Sequence, residues 1–331
     1  MSHDRILIKG NEAVAFGALD AGCRCYFGYP ITPQNEIPET MSLRLPECGG
    51  QFVQAESEVA AINMLLGAGA CGIPAMTSSS SCGISLMQEG ISYMAGSHIP
   101  AVIVNMERGG PGLGDIGPSQ GDYFQAVKGG GHGDHRNLVL APSTAQECYD
   151  MMFRAFALAF KYANPVMLLG DAIVAQIKEP VRRQPPADAL SPEALAELAA
   201  RNRLLMEKYA AMQAEACAEC WNTDDAELVV VAFGSMARIA RSAIRKLREE
   251  GLKAGLFRPK TLYPFPADAL RALAPGRRFL VIEQNTGQMV EDVRLSLMGE
   301  NAKVDWHGVM PGLFIGADAL EDPIRQACKE N

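Results

Sequence analysis

The chain has 331 residues, of which 48% are hydrophobic and 21% are charged, and its formal net charge is -8. This length allows two domains that each bury a core, and the composition is typical of a globular protein. The negative charge argues against a nucleic-acid partner, whose binding surface would need clustered Lys and Arg.

The sequence shows no signal peptide, no membrane-spanning segment and no evident metal-ligand set. The N-terminal segment MSHDRILIKG lacks the apolar core of a signal peptide, and no stretch approaches the roughly 20 apolar residues that span a bilayer. The nine cysteines form no evident set of four cluster or zinc ligands. We expect Cys217 and Cys220 to be surface thiols on a helix, and His132 and His135 to belong to a Gly-rich loop. A reducing cytoplasmic location, with no metal site and no membrane partner, is therefore expected.

Residues 1–177 alternate short apolar runs with amphipathic segments. Apolar runs predict strands at 25–28, 52–55, 75–78, 101–106, 138–141 and 166–169, and a helical period predicts helices over 58–69 and 145–162. Alternation of continuously apolar strands with helices is typical of a parallel sheet that is covered on both faces. We therefore predict a parallel-sheet α/β domain.

Residues 178–225 change in character. A Pro-rich stretch comes first, Ser191-Pro192-Glu193 predicts a helix start, and the helix is expected to run to about Glu219. From residue 226 to 331 the pattern returns, with strands predicted at 228–233, 254–257 and 279–283 and a helix at 237–250. The predicted fold class is therefore α/β, with two parallel-sheet domains joined by a connector.

The first polar motif, Gly28-Tyr29-Pro30-Ile31-Thr32-Pro33, directly follows a predicted strand. Its two prolines restrict the backbone around Thr32 and would hold the hydroxyl at the carboxyl end of that strand. Ligands bind at this edge of open α/β sheets. The motif indicates a ligand-binding loop, with a rigid turn as the alternative.

Three further motifs follow predicted strands. Glu56-Ser57-Glu58 lies at a strand-to-helix junction, where an acidic pair usually stabilises the helix N-terminus. The tract Thr77–Gly83 offers hydroxyls and N–H groups that can hold a polar ligand, or it is a Ser-rich turn. Arg108 emerges at a strand end beside a Gly-rich loop and can form a fork onto a carboxylate, or it forms an ion pair with Glu107.

Taken together, the order and spacing of these motifs are specific. The runs YPITP, QAESEVAAINM, MTSSSSCGISLMQEGISY, NMERGGPGLG and PSQGDYFQAVKGGGHGD resemble the alpha subunit of 2-oxoacid:ferredoxin oxidoreductases, in the branch acting on 2-oxoisovalerate or 2-oxoglutarate. The resemblance covers residues 5–175 and continues through 228–238, 264–266 and 283–288. It implies a thiamine pyrimidine-binding domain over 1–177 and a transketolase C-terminal-like domain over 226–331.

The resemblance also implies roles for particular residues. Glu58 would present its carboxylate to N1′ of the aminopyrimidine, which activates the cofactor, with Glu56 as the alternative. Thr32 would hydrogen-bond the substrate near its carboxylate or keto oxygen, and Arg108 would pair with the substrate carboxylate. The remaining cofactor-binding residues would be Tyr29, Pro30, Ile31, Ser80 and Ser81.

Part of the machinery of such an enzyme is missing from the sequence. A diphosphate site needs a GDG motif, and none of the four Gly-Asp pairs of this chain is followed by Gly. The resemblance therefore implies a beta subunit that binds the diphosphate and Mg²⁺, a gamma subunit and a ferredoxin-like delta subunit. [4Fe-4S] clusters would lie in partner subunits only.

The implied reaction is the thiamine-dependent oxidative decarboxylation of a 2-oxoacid, with coenzyme A as acyl acceptor and ferredoxin as electron acceptor. Branched-chain 2-oxoacids are favoured, with 2-oxoglutarate as the alternative substrate. A non-oxidative thiamine enzyme and a non-catalytic nucleotide-binding or scaffold protein are the competing readings. The segment EQNTGQ at 283–288 either approaches the active site or a subunit interface, or is only a strand-end turn.

Overall fold

The computed structural model describes residues 5–184 and 198–329, with side chains from residue 205 onward in the second range. The elements up to residue 184 are β1 (Ile6–Lys9), α1 (Gly10–Asp20), β2 (Cys25–Gly28), α2 (Glu36–Arg44), β3 (Gln51–Gln54), α3 (Glu58–Ala70), β4 (Ala75–Ser79), α4 (Ser81–Gly96), β5 (Ala101–Glu107), α5 (Tyr123–Val127), β6 (Leu138–Leu140), α6 (Ala145–Tyr162), β7 (Pro165–Asp171), α7 (Ala172–Gln176) and β8 (Lys178–Val181). The elements from residue 198 are α8 (Leu198–Met212), β9 (Ala218–Trp221), β10 (Leu228–Val231), α9 (Gly234–Glu249), β11 (Ala254–Pro259), β12 (Thr261–Tyr263), α10 (Ala267–Arg271), β13 (Arg278–Glu283), α11 (Met289–Ser296), β14 (Val304–Gly308) and α12 (Asp318–Lys329).

The first sheet has seven strands in the order β12-β6-β7-β5-β4-β2-β3. All its neighbouring strands are parallel except β12, which runs antiparallel to β6. Side chains alternate between the two faces of a strand. Along β5, Val102 and Val104 therefore pack into one core with α1 and α6, whereas Ile103 packs into another with α3 and α4. Helices on both faces explain why the central strands β5 and β7 are buried along their whole length, as expected of a sheet that is covered on both faces.

The second sheet has five strands in the order β14-β13-β10-β11-β9, and only β9 is antiparallel to its neighbour. Val229 and Phe279 on one face belong to the same buried core as Ile103 of the first sheet. Leu228 and Val230 on the other face pack against α9 and α12. Because the two sheets share a core, the second α/β unit is fixed against the carboxyl edge of the first.

Local signals set the helix ends. Ser57 caps α3 by accepting a hydrogen bond from Ala60 N at 3.2 Å, and Thr144 caps α6 by accepting one from Glu147 N at 3.1 Å. Side-chain caps of this type satisfy the N–H groups that the first turn leaves free. The predicted helix over 145–162 has the same bounds as α6.

The segment that joins the two sheets differs from the expected loop and helix. β8 pairs antiparallel with β1, and β9 pairs antiparallel with β11, so strands lie at both ends of residues 178–225. The helix expected to reach Glu219 is wrong, because α8 ends at Met212 and Glu219 lies in β9. The expected start at 191–193 lies outside the described residues.

The thiols of this segment also differ from expectation. Cys220 lies in β9 and Cys217 directly before that strand, so the pair does not lie on a helix. Cys220 is exposed, and Cys217 is half-buried. The pair belongs to no group of three or more His, Cys, Asp or Glu side chains within residues 5–184 and 198–329 that could hold a metal ion. Of the helices in these two ranges, none is sufficiently long and apolar to cross a membrane.

Candidate active site

The polar motifs meet at the carboxyl edge of the first sheet. Thr32 lies in the loop after β2, Ser80 lies between β4 and α4, Ser81 is the first residue of α4, and Arg108 directly follows β5. β2, β4 and β5 are consecutive neighbours in the sheet. The parallel arrangement therefore brings these motifs to one edge, where ligands of open α/β sheets bind.

Arg108 reaches across this edge to the loop after β2. Its Nη1 donates to the carbonyl oxygen of Thr32 at 3.2 Å, and its Nη2 donates to Leu113 O at 3.0 Å and to Cys82 Sγ at 3.2 Å. No carboxylate in the described parts of the chain forms an ion pair with Arg108, and its Nε is buried without a hydrogen-bond partner. The guanidinium is oriented by neutral groups and keeps an uncompensated charge, which suits it to bind an anion.

The expected alternative, an ion pair with Glu107, is absent from the described contacts of Arg108. Glu107 instead accepts a hydrogen bond from Asp122 N at 2.8 Å. Burial, together with the nearby charge of Asp122, raises the pKa of Glu107 well above its ordinary value. Glu107 is therefore a buried carboxyl that holds the backbone of Asp122, and it forms no described contact with the Arg108 side chain.

Ser81 ties the start of α4 to the backbone of Arg108. Its hydroxyl donates to Arg108 O at 3.1 Å, and Arg108 N donates to Ser81 Oγ at 3.0 Å. The first turn of α4 thus contacts Arg108 through both Ser81 and Cys82. These two hydrogen bonds fix the backbone of Arg108 at the carboxyl end of β5.

Glu58 lies on the opposite side of the same helical turn. It is the first residue of α3, its side chain is only 6% exposed, and its carboxylate has no hydrogen-bond donor in the described part of the chain. A Cβ built at Gly83 would lie 2.6 Å from Glu58 Oε1 and 2.1 Å from Ser79 Oγ, so only glycine allows this approach. Glu56, two residues earlier, is exposed.

Several hydroxyls at the end of β4 are buried without partners. Thr77 Oγ1, Ser79 Oγ and Ser80 Oγ have no hydrogen bond within the described residues, although their side chains are fully buried. Ser78 is different, because it donates to Gln34 Oε1 at 2.5 Å and lies 2.7 Å from the Tyr26 hydroxyl. Buried polar groups are usually paired, and leaving one unpaired costs about 1–3 kcal/mol. Of these hydroxyls, Ser79 Oγ lies beside Glu58, since both atoms approach the Cβ position of Gly83.

The other expected cofactor-binding residues lie in the loop after β2. Tyr29 and Pro30 are exposed and Ile31 is half-buried. The carbonyl oxygen of Tyr29 accepts a hydrogen bond from Gln34 Nε2 at 3.2 Å, which links this loop to Ser78. The structure brings Thr32, Arg108 and Ser81 together through hydrogen bonds, whereas Tyr29 and Pro30 only share the loop of Thr32.

A cavity of about 610 Å³ adjoins Thr32 and extends towards the second sheet. Its lining includes the apolar side chains of Ile116, Ile173, Ile177, Ile239 and Phe314. Arg238 is the cation among the described lining residues, and it donates to Glu179 Oε1 at 2.6 Å. The cavity is therefore apolar, and its cation is already paired.

The sequence did not indicate two groups that support this edge. Asp171, paired in register with Glu107, accepts bonds from Ile173 N and Val174 N and so caps α7. Gln120 connects the segment after Arg108 with the second sheet. Both occur in short stretches, GD and SQGD, whose contacts depend on partners distant in sequence.

The Gly-rich loop GGGHGD packs along α4, away from Arg108. His132 N donates to Ser92 Oγ at 3.0 Å, and His135 Nδ1 donates to His132 O at 2.7 Å. Over residues 5–184 and 198–329 there is no group of three or more His, Cys, Asp or Glu side chains that could hold a metal ion. The two hydrogen bonds hold the loop together and against α4.

The chain matches two family models in succession. Residues 16–228 match the thiamine diphosphate-binding domain of pyruvate flavodoxin/ferredoxin oxidoreductase, and residues 226–313 match core domain II of pyruvate:ferredoxin oxidoreductase. The chain belongs to the 2-oxoacid:ferredoxin oxidoreductase family of thiamine-dependent, multi-subunit enzymes, in which the iron–sulfur clusters are carried by other subunits. Membership of this enzyme family rejects the alternative of a non-catalytic nucleotide-binding or scaffold protein.

Curated relatives cover most of the chain. The ketoisovalerate oxidoreductase subunit VorB of Methanothermobacter thermautotrophicus is 50% identical over 313 residues, which are 88% of this chain and 89% of that protein. The 2-oxoglutarate synthase subunit KorA of Archaeoglobus fulgidus is 37% identical over 316 residues, 87% of this chain and 90% of that protein.

Solved structures agree with the family. The 2-oxoglutarate:ferredoxin oxidoreductase of Magnetococcus marinus superposes with a TM-score of 0.87 and 26% identity, covering 98% of this chain. This chain spans 66% of the length of that one. A split-gene transketolase superposes with a TM-score of 0.62 at 15% identity over 96% of each chain, which shows the transketolase-like fold alone.

Proposed function

We propose that this chain binds the aminopyrimidine of thiamine diphosphate through Glu58 and the carboxylate of a branched-chain 2-oxoacid through Arg108 and Thr32. The observation that carries the proposal is the pair of unsatisfied charges on either side of the first turn of α4. Glu58 has no donor and Arg108 has no carboxylate within the described residues. A ligand that offers a ring nitrogen to one and an anion to the other would satisfy both.

The residues around Glu58 fit the pyrimidine half of the cofactor. The carboxylate of Glu58 can share a proton with N1′, and Ser79 and Ser80 have free hydroxyls for the polar ring substituents. Gly83 leaves room beside the carboxylate. Bound thiamine diphosphate supplies the electron sink for cleavage of the bond between the keto carbon and the carboxylate. Glu58 would hold and release the N1′ proton, as a general acid–base group does.

Arg108 and Thr32 would orient the substrate. Nη1 donates to Thr32 O, and Nη2 donates to Leu113 O and Cys82 Sγ, which leaves the buried Nε and one N–H of Nη1 without a partner among the described residues. A carboxylate that binds in two-pronged fashion would replace one of the bonds of Nη2. A planar guanidinium can form two parallel hydrogen bonds with a carboxylate while remaining charged. The Thr32 hydroxyl, which is exposed at the same loop, would bind near the keto oxygen.

The apolar cavity beside Thr32 supports a branched-chain substrate. Its isoleucines and Phe314 suit an alkyl tail, whereas the second carboxylate of 2-oxoglutarate would need an unpaired cation. Arg238 is held by Glu179 and does not meet that need. The relative named for ketoisovalerate is also more similar to this chain than the relative named for 2-oxoglutarate.

We further propose that a beta subunit supplies the diphosphate and Mg²⁺ site, with a gamma subunit and a ferredoxin-like delta subunit completing the assembly. Exposed apolar side chains beside Arg108 support a partner at this edge. Leu113 is 74% exposed and Phe314 is 75% exposed, and Ile116 and Leu313 lie on the same two loops. Patches of this type usually mark interaction surfaces. The assembly would convert a 2-oxoacid and coenzyme A to an acyl-CoA and carbon dioxide, and pass two electrons to ferredoxin.

The test is a viologen- or ferredoxin-linked assay of the purified complex across a panel of 2-oxoacids. We expect the highest kcat/KM with 2-oxoisovalerate and a value at least about tenfold lower with 2-oxoglutarate, since each unpaired buried charge is costly. A preference for 2-oxoglutarate would reject the branched-chain substrate but would remain consistent with the proposed reaction. Absence of activity with every 2-oxoacid and coenzyme A would reject the reaction itself.

A further inference from the structure

We infer that Asn285 and Gln284, in the second α/β unit, are positioning residues for Arg108. They hold the far end of the loop that orients its guanidinium. The inference rests on the proposed role of Arg108 in binding the substrate carboxylate. It gives the segment EQNTGQ a function, although none of its residues reaches Arg108 directly.

The connection begins at Gln120, which is 1% exposed and is clamped on both its side chain and its backbone. Gln120 N donates to Gln284 O at 2.9 Å, and Asn285 Nδ2 donates to Gln120 O at 3.0 Å. The side chain accepts from Gln284 N at 3.2 Å and donates to Phe233 O at 3.1 Å. These four hydrogen bonds fix one residue of the first unit to two strand ends of the second.

Bonds on either side of Gln120 extend the clamp. Gly312 N donates to Pro118 O at 2.7 Å, and Gln288 Nε2 donates to Gly121 O at 2.8 Å. Gln288 Oε1 also accepts from Phe124 N at 2.7 Å. Hydrogen bonds therefore fix the position of segment 118–124 relative to the second α/β unit.

The loop 109–117 links this segment to Arg108. Gly109 N donates to Gly117 O at 2.9 Å, which closes the neck of the loop directly after the arginine. Within the loop, Leu113 O accepts from Arg108 Nη2 at 3.0 Å. The position of Leu113 O, and with it the direction of the guanidinium, depends on where the loop is held. Asp115 N donates to Gly109 O at 2.9 Å and Gly117 N donates to Asp115 Oδ1 at 2.8 Å, so the loop is held together as a unit, and the clamp at Gln120 fixes the place of that unit against the second α/β unit.

The strand end that carries the clamp is itself rigid. Both oxygens of Glu283 are used, by Met289 N at 2.7 Å and by Val290 N and Trp306 Nε1 at 3.2 and 3.0 Å. Asn285 Oδ1 accepts from Gly287 N at 2.8 Å, which leaves its Nδ2 aimed at Gln120. Asn285 thus has two separable parts: an acceptor that shapes its own turn and a donor that holds the loop.

The variant Asn285→Asp separates these parts. It keeps the acceptor for Gly287 N and Gln288 N, but it replaces the donor to Gln120 O by a carboxylate oxygen that repels this carbonyl. In the assembled enzyme we expect KM for the preferred 2-oxoacid to rise about tenfold, with kcat at saturation within about twofold. Exchange of the thiazolium C2 proton of bound thiamine diphosphate should be unchanged, because Glu58 is not connected to this clamp. Thr286→Ala, at the adjacent exposed position, is the matched control and should leave KM unchanged.

A double-mutant cycle with Arg108→Lys distinguishes positioning from a general structural role. If Asn285 acts through Arg108, its variant should add less than about twofold to the KM of Arg108→Lys. Fully multiplicative effects, or slowed C2 exchange in Asn285→Asp, would overturn the inference. An unchanged KM in Asn285→Asp, beside a raised KM in Arg108→Lys, would also overturn it while leaving the proposed function intact. An unchanged KM in Arg108→Lys would instead reject the proposed function.

A second variant tests the same inference if Asn285→Asp does not assemble. Gln288→Met removes the bonds to Gly121 O and Phe124 N at a partly exposed position, so it should be tolerated. We expect KM to rise about threefold, again with normal C2 exchange. A KM equal to that of the unmodified enzyme would then overturn the inference.

Discussion

Two buried polar clusters in this chain differ in how completely their groups are paired. Around Arg258, which is 4% exposed, the guanidinium donates to both oxygens of Glu147, at 2.7 and 2.8 Å, to Ser143 Oγ at 2.7 Å and to Glu219 Oε2 at 3.0 Å. Around Glu58, the carboxylate and the hydroxyls of Ser79 and Ser80 have no partner in the described parts of the chain.

From this difference we infer that the Arg258 cluster is structural and that the Glu58 cluster binds a ligand, as proposed above. The Arg258 cluster joins α6, β9 and β11, and its bonds are complete without any further molecule. The Glu58 cluster leaves groups unpaired at about 1–3 kcal/mol each, a cost that a folded chain accepts where a ligand later offsets it. Completeness of pairing, more than burial or charge, tells the two clusters apart.

The largest expected effect comes from breaking the complete cluster. Arg258→Met leaves Glu147 and Glu219 without their shared cation, and breaking a buried ion pair from one side costs about 3–5 kcal/mol. We expect the free energy of unfolding of the assembled enzyme to fall by about 3 kcal/mol in a urea titration. Arg271→Met is the control, since its pair with Asp268 is exposed and contributes less than about 1 kcal/mol. Equal effects of the two substitutions would contradict this reading.

The next largest effect concerns the incomplete cluster. Glu58→Gln keeps the size of the side chain but cannot exchange a proton with N1′. We expect kcat to fall by about 10² or more, equivalent to about 2.7 kcal/mol of activation free energy, with the stability of the complex almost unchanged. Steady-state kinetics and a urea titration on the same preparation test this. A loss of stability with normal turnover would place Glu58 in the structural class with Arg258.

Arg108→Lys should have a smaller effect on catalysis. A lysine ammonium keeps the charge but cannot reproduce the two-pronged contact with a carboxylate. We expect kcat/KM to fall at least about tenfold for every 2-oxoacid, which corresponds to about 1.4 kcal/mol. Unchanged kinetics across several 2-oxoacids would return Arg108 to a structural role.

The smallest effect is the acid sensitivity of the complete cluster. Burial alone would raise the pKa of Glu147, but the hydrogen bonds and charge of Arg258 hold it at about 2. A carboxyl whose pKa is lowered on folding stabilises the protein above its unfolded pKa, and this contribution is lost as the pH falls towards the folded value. Between pH 7 and pH 4 we expect a loss of about 1 kcal/mol from this group. Arg258→Met should remove this part of the pH dependence, and an identical slope in both proteins would contradict the assignment.

The sequence predicted the parts of the fold that local pattern controls. α6 was predicted with its observed bounds because its apolar period is strong and Thr144 caps its start. β9 was missed because Ala218–Trp221 follows a helical composition, and only its pairing with β11 makes it a strand. Tertiary pairing overrides weak local propensity at such an edge.

In the candidate site, too, local motifs predicted some features, and tertiary contacts determine the others. Glu58 and Arg108 were indicated by the resemblance of their motifs to the family. Arg108 directly follows β5, whereas Glu58 begins α3. Their unpaired state, and the exposure of Glu56, depend on contacts with α4 that no local pattern contains. The clamp on Gln120 joins residues 164 positions apart, and the pairing of two glutamines has no periodicity that a sequence could show.

The most direct measurement is exchange of the thiazolium C2 proton in deuterated buffer, made within the assembled complex. Glu58→Gln should slow the exchange by about 10² or more, while Glu56→Gln, at an exposed position, should leave it unchanged. This result would identify the buried, unpaired carboxylate as the group that activates the cofactor. Slow exchange in the Glu56 variant alone would mean that Glu56, and not Glu58, contacts N1′. Normal exchange in both variants would show that neither carboxylate activates the cofactor.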